Sequence, residues 1–64
     1  MLKGNMLKRI REEKGMSQFD LALMAKINPS EISRLENGKI YPYSGWKRKL
    51  SIALEIPENE IFPE

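Results

Sequence analysis

Asn28-Pro29-Ser30-Glu31-Ile32-Ser33-Arg34-Leu35-Glu36-Asn37-Gly38 reads as a short helix with both of its ends encoded. Asn28 suits the N-cap, where a side-chain oxygen accepts from an unsatisfied N–H of the first turn. Pro29 fits the first helical position, which needs no N–H, and Glu31 stands where a capping box has its acid. Ile32 and Leu35 set one apolar stripe, and Asn37-Gly38 stops the helix with a residue tolerant of left-handed backbone.

Working outward, the same signals recur. Ser17 caps a preceding helix with Asp20 in the capping-box position, and Leu21, Met24 and Ala25, flanked by Ala22, make its apolar face. Only Lys26 and Ile27 separate that helix from Asn28. Upstream, Leu7, Ile10, Arg11 and Lys14 fall at helical spacing, with Asn5 as cap and Gly15 just past the end. Downstream of a loop from Lys39 to Tyr43, Ser44 is the expected cap of a fourth helix with the stripe Trp46, Leu50, Ala53 and Leu54. Pro57 opens a last turn in which Glu58 and Glu60 complement the helix dipole and Ile61 and Phe62 close the core. Alternating strand patterns are absent. The expectation is an all-α, five-helix single domain over residues 5–62, after an N-terminal tail at 1–4.

Composition narrows the chemistry. A chain of 64 residues has room for one domain and buries only about 60% of the surface its unfolded form exposes. Without Cys or His, disulfides, thiolate nucleophiles, imidazole bases and most metal and haem sites are excluded, so neither metal nor cofactor nor enzymatic activity is expected. The apolar runs are far short of the ~20 residues that span a bilayer, and the chain reads as soluble and cytoplasmic. Residues 1–50 hold all eleven Lys and Arg against five acids, whereas residues 51–64 hold four Glu and no base. A basic body with an acidic tail suits a polyanion met by one face, although a lopsided charge distribution also arises without one.

At 100° per residue, Ser30, Ser33, Arg34 and Asn37 cluster opposite Ile32 and Leu35, with Pro29 and Glu31 on the flanks. Small hydroxyls beside one Arg can enter a major groove, where Arg grips guanine O6 and N7. An ordinary solvated helix face has the same composition. Two helices joined by about three residues make a helix-turn-helix corner, which small helical bundles also contain.

The pattern Ser17-Gln18-x-x-Leu21-Ala22, followed in register by Ile27 through Gly38, resembles the phage-repressor and Cro-type (XRE-type) helix-turn-helix domain. Leu7 through Gly15 and Ala53 through Phe62 are similar to that family's first and closing helices, so the resemblance covers roughly residues 5–62. It implies a lambda-repressor-like bundle that binds operator DNA, normally as a homodimer, and acts as a transcriptional regulator, most often a repressor. By position, Gln18 corresponds to a phosphate contact that also steadies the third helix. Pro29, Ser30, Ser33 and Arg34 correspond to base-facing positions, and Asn37 and Lys39 to phosphate contacts. Asn28 joins them as a cap at a helix N-terminus. Arg11 and Glu36 match a structural ion pair between the first and third helices.

Three departures stand out. Lys26 occupies the family's turn glycine, Pro29 replaces a residue that is often a base-reading amide, and Phe19 and Leu23 stand where charged residues are usual. That last pair forms an apolar ridge on which a protein partner could sit, which keeps a second class of function open: an interaction module such as an antitoxin or adaptor. Trp46 is expected as a core anchor and the four Met as core filling. Tyr41 and Tyr43 fit loop packing or phosphate contact equally. Lys47, Arg48 and Lys49 oppose the dipole at the start of their helix, a placement that a nearby polyanion would explain and that ordinary solvated charge also fits. An interface between two copies is expected from Ile56, Ile61 and Phe62, or from the second helix.

Overall fold

A computed structural model describes residues 5–63, so the tail expected at 1–4 lies outside the described residues. The helices are α1 (Leu7–Glu13), α2 (Gln18–Ala25), α3 (Pro29–Glu36), α4 (Ser44–Leu54) and α5 (Glu58–Ile61). The N-cap of α1 is Met6 rather than the expected Asn5, although Asn5 Oδ1, one residue earlier, still accepts from the Leu7 N–H at 3.0 Å. At α2 the capping box is complete: Ser17 Oγ accepts from the Asp20 N–H, and Asp20 Oδ2 accepts from the Ser17 N–H, each at 3.0 Å. Asn28 Oδ1 accepts from the Ser30 N–H at 2.9 Å and starts α3. Two further cap expectations differ. Glu31 turns away from its own N-cap and accepts from Arg34 instead. Ser44 is the first residue of α4 rather than its cap, and the N-cap is Tyr43, whose ring packs on Trp46 at 5.3 Å.

The Ser17 backbone N–H, and then its hydroxyl, hold the Asp20 carboxyl below the ordinary carboxylate range. A carboxylate favoured in the folded state stabilises at pH above its unfolded pKa, and the contribution disappears as pH falls through the lowered folded value. Asp20→Ala is therefore expected to be less stable than the parent at pH 6. In urea titrations the gap between the two should narrow as both are taken to strongly acid pH.

One device ends the first four helices. The N–H groups of Met16, Ile27, Lys39 and Ile56 bond the carbonyls of Arg11, Ala22, Arg34 and Ser51, each five residues back. The residue before each donor, namely Gly15, Lys26, Gly38 or Glu55, has φ between 57° and 71°. These are Schellman closures, in which the residue after the left-handed one supplies an apolar contact. Ile27 does so from within the core, and Met16 and Ile56 pack against its edge. Glycine takes this conformation freely, whereas Lys26 and Glu55 carry a side chain into it. Lys26→Gly is expected to raise stability by about 1 kcal/mol, because relief of left-handed strain outweighs the added chain entropy. A chemical-denaturation midpoint at or below the parent's would contradict that.

The core is one cluster. Leu7, Leu21, Ile32, Leu35, Leu50, Leu54 and Ile61 are fully buried at its centre. α2 packs against both α3 and α4, α4 against α5, and α1 against α3. Trp46 anchors the cluster from its edge, as expected. Met24 does not join it and is 58% exposed. The buried arc of α2 runs from Leu21 through Ala25 to Ala22, and on a helical wheel Met24 lies about 100° from the middle of that arc. Of the expected core-filling methionines, Met16 packs against the cluster, Met24 does not, and Met1 lies outside the described residues. Ile61 and Phe62 are buried in this core and so cannot also form a surface between copies. Among the described residues, no helix is long and apolar enough to cross a membrane.

Candidate nucleic-acid interface

Burial of Ile32 and Leu35 turns the opposite side of α3 outward. Pro29, Ser30 and Arg34 are exposed there and Ser33 is half-buried, while Asn28, Asn37 and Lys39 are exposed at the two ends of the helix. The structure thus brings seven of the eight sequence-derived positions onto one face and its margins. Gln18, the eighth, is half-buried on α2.

Hydrogen bonds set what each group has left to offer. Asn28 spends its carbonyl oxygen on the Ser30 N–H and on the Ser30 hydroxyl, which donates at 2.7 Å. Its amide NH2 is left for an acceptor such as a phosphate, and Ser30 Oγ is left as an acceptor. Asn37 donates one amide hydrogen to the Ser33 carbonyl at 2.9 Å. Arg34 Nη1 lies 3.3 Å from Glu31 Oε1, and the rest of its guanidinium fork remains on a side chain that is 58% exposed.

Rigidity comes from behind. Glu36, at the end of α3, receives Arg11 Nε at 2.6 Å and Arg11 Nη2 at 3.2 Å. Arg11 Nη1 donates to the Met16 carbonyl at 2.7 Å, and the bond and charge of Glu36 hold the guanidinium pKa above its ordinary value. The ion pair expected between the first and third helices is present and buried. Two further ties hold the same helix: the resemblance implied that Gln18 steadies it, whereas the tie from Asn5 was not foreseen. Gln18 Nε2 donates to Glu36 Oε1 at 2.9 Å, and Asn5 Nδ2 donates to the Leu35 carbonyl at 2.8 Å. Gln18 shares the helical azimuth of the buried Ala22 and Ala25, a signal present in the α2 pattern. No local pattern marks the Asn5 tie, which joins residues thirty apart.

Near the start of α4, Lys47 Nζ sits 5.8 Å from the centre of the Tyr41 ring and 6.0 Å from that of Phe62. Tyr41 and Tyr43 use their rings in local contacts and stay largely exposed, which leaves their hydroxyls available to a phosphate. Lys47 is part of those contacts, whereas Arg48 and Lys49 are exposed.

The sequence profile of the helix-turn-helix domain matches residues 4–63. The chain belongs to that family. Its fold is similar to the crystal structure of the restriction-modification controller protein C.AhdI from Aeromonas hydrophila. The two are 32% identical, with a TM-score of 0.83, over 88% of this chain and 85% of that one. No curated protein matches by sequence. The phage-repressor resemblance carried by Ser17 through Gly38 thus extends to the whole fold. In this helix-turn-helix protein α2 is the positioning helix, α3 the outward one, and Lys26 the left-handed turn residue between them.

Proposed function

We propose that this helix-turn-helix protein is a sequence-specific, double-stranded-DNA-binding transcriptional regulator that acts as a repressor in the cytoplasm, with residues 5–62 as its single binding domain. The carrying observation is the outer face of α3, where Arg34 and Ser30 are exposed above a helix end tied to α1 and α2 through Glu36. A rigid helix loses little order on docking, so its side chains keep their spacing against base edges. In this reading α3 enters the major groove, Arg34, Ser30 and Ser33 meet bases, and Pro29 offers apolar contact to a thymine methyl. Gln18, Asn28, Asn37 and Lys39 hold phosphates and fix the register. The function is binding without catalysis. That the C.AhdI relative is a restriction-modification controller supports a regulatory role.

A homodimer on DNA would place two α3 helices about 34 Å apart, on half-sites one turn from each other. With Ile61 and Phe62 in the core, the surfaces left for a second copy are Ile52, which is 68% exposed, with the half-buried Ile56, and the exposed side of α2. The exposure of Phe19, Leu23 and Met24 on α2 supports a surface there for a protein partner.

Selection of binding sites from a random duplex pool at physiological salt tests the reading. Enrichment of a palindrome with half-sites one turn apart is expected. Binding that falls with salt and enriches nothing would refute sequence recognition.

A further inference from the structure

The two capped helices of the motif begin alike, with an acid at the third helical position, yet the acids act differently. Asp20 folds back onto the Ser17 N–H, whereas Glu31 reaches forward to Arg34, 3.3 Å away and one turn on. Glu N-terminal to Arg at this spacing is the favourable order on a helix. The Glu31 side chain is only 27% exposed and that of Arg34 is 58% exposed, so the acid is the better-held member of the pair. A carboxylate on the flank of the face proposed to meet DNA is otherwise unfavourable, because it approaches a lattice of phosphates.

We propose that Glu31 is a specificity-determining positioning residue, which clamps the Arg34 guanidinium over the base edges and withholds it from the phosphates. This rests on the reading of α3 as a DNA-reading helix. A clamped Arg34 gives part of Nη1 to Glu31 and keeps the remaining N–H groups of its planar fork for a guanine. Guanine O6 and N7 accept two of these donors and offset the charge cost of bringing Glu31 into the groove. Another base leaves the fork half used and that cost uncompensated. Without Glu31, the same long side chain can swing to a backbone oxygen, which every sequence presents.

The test is a double-mutant cycle of parent, Glu31→Gln, Arg34→Ala and the double variant. Affinities are measured on the selected site, on that site changed at the base pair Arg34 reads, and on a random duplex over a series of salt concentrations. Unfolding midpoints establish that all four proteins fold, and Arg34→Lys, which keeps the charge but lacks the fork, is carried alongside. The neutral isostere Glu31→Gln is expected to bind random DNA more tightly and with a salt slope steeper by about one, as Arg34 becomes a phosphate contact. Discrimination at the Arg34 base pair should fall by about tenfold, the scale of one weakened bidentate contact. Over Arg34→Ala, the same change should alter neither slope nor discrimination, and Arg34→Lys should discriminate poorly whether or not Glu31 is present. An equal gain on every duplex in both backgrounds would make Glu31 a background charge and overturn the proposal alone. Failure of the random pool to enrich any site would overturn the reading of the chain as a sequence reader, and the clamp's role with it.

Discussion

Glu36→Ala is expected to lower folding stability by about 3–5 kcal/mol, the scale on which a buried ion pair responds to loss of one partner. Three donors converge on this carboxylate, two from Arg11 and one from Gln18. Its removal strands the guanidinium of Arg11, a residue that is 7% exposed, with the Met16 carbonyl as its remaining partner. At the usual ~0.05–0.15 kcal/mol per residue, a chain this long has roughly 3–10 kcal/mol in total, so the variant should lose a third or more of its stability. The charge, not the contact area, causes the loss. Replacing both partners together, as in Arg11→Met with Glu36→Leu, should therefore recover much of it, since an apolar pair strands nothing. Urea unfolding of the three proteins decides the matter. A loss under about 1 kcal/mol in Glu36→Ala would mean that water reaches the pair as it does an exposed one.

Arg34→Ala is expected to weaken binding to the selected site by about 1–3 kcal/mol and to abolish preference at one base pair, with little change on random DNA. Lys39→Ala should weaken every duplex alike and reduce the salt slope by about one. The contrast follows from placement. Arg34 stands on the outer face of α3, while Lys39 lies beyond the Gly38 turn, where the chain leaves that face. Salt-series affinities on both kinds of duplex separate the roles. Equal losses on selected and random DNA from both variants would contradict the division.

Much of this was legible before any contact was known, because caps and stops are local chemistry. Ser17 and Asn28 each start a helix as their side chains predict, and Gly15 and Gly38 each end one. Glu55 shows the limit of that logic. It takes the same left-handed turn as the glycines, with nothing in its own chemistry to announce it, because the following Ile56 is drawn toward the core. Met24 fails for a related reason: a spacing of three places it near Leu21, but α2 is covered by α3 and α4 over an arc that excludes it. Ile61 and Phe62 read equally well as core or as interface until the packing of α5 on α4 buried them.

The candidate site divides along the same line. Local spacing alone determined five helices, the caps at Ser17 and Asn28, and the set of side chains opposite Ile32 and Leu35, since each depends on residues within a turn or two of one another. The ties that hold the reading helix join Asn5 to Leu35, Gln18 to Glu36 and Arg11 to Glu36. The family resemblance implied the Arg11–Glu36 pair and a steadying role for Gln18, but only the tertiary structure decided the Asn5 tie, the acceptor that Gln18 takes and the choice of Glu31 between its own cap and Arg34. A polar side chain has several partners of similar energy within reach. Which it takes depends on which elements packing brings beside it, and one sequence seen alone does not encode that neighbourhood locally.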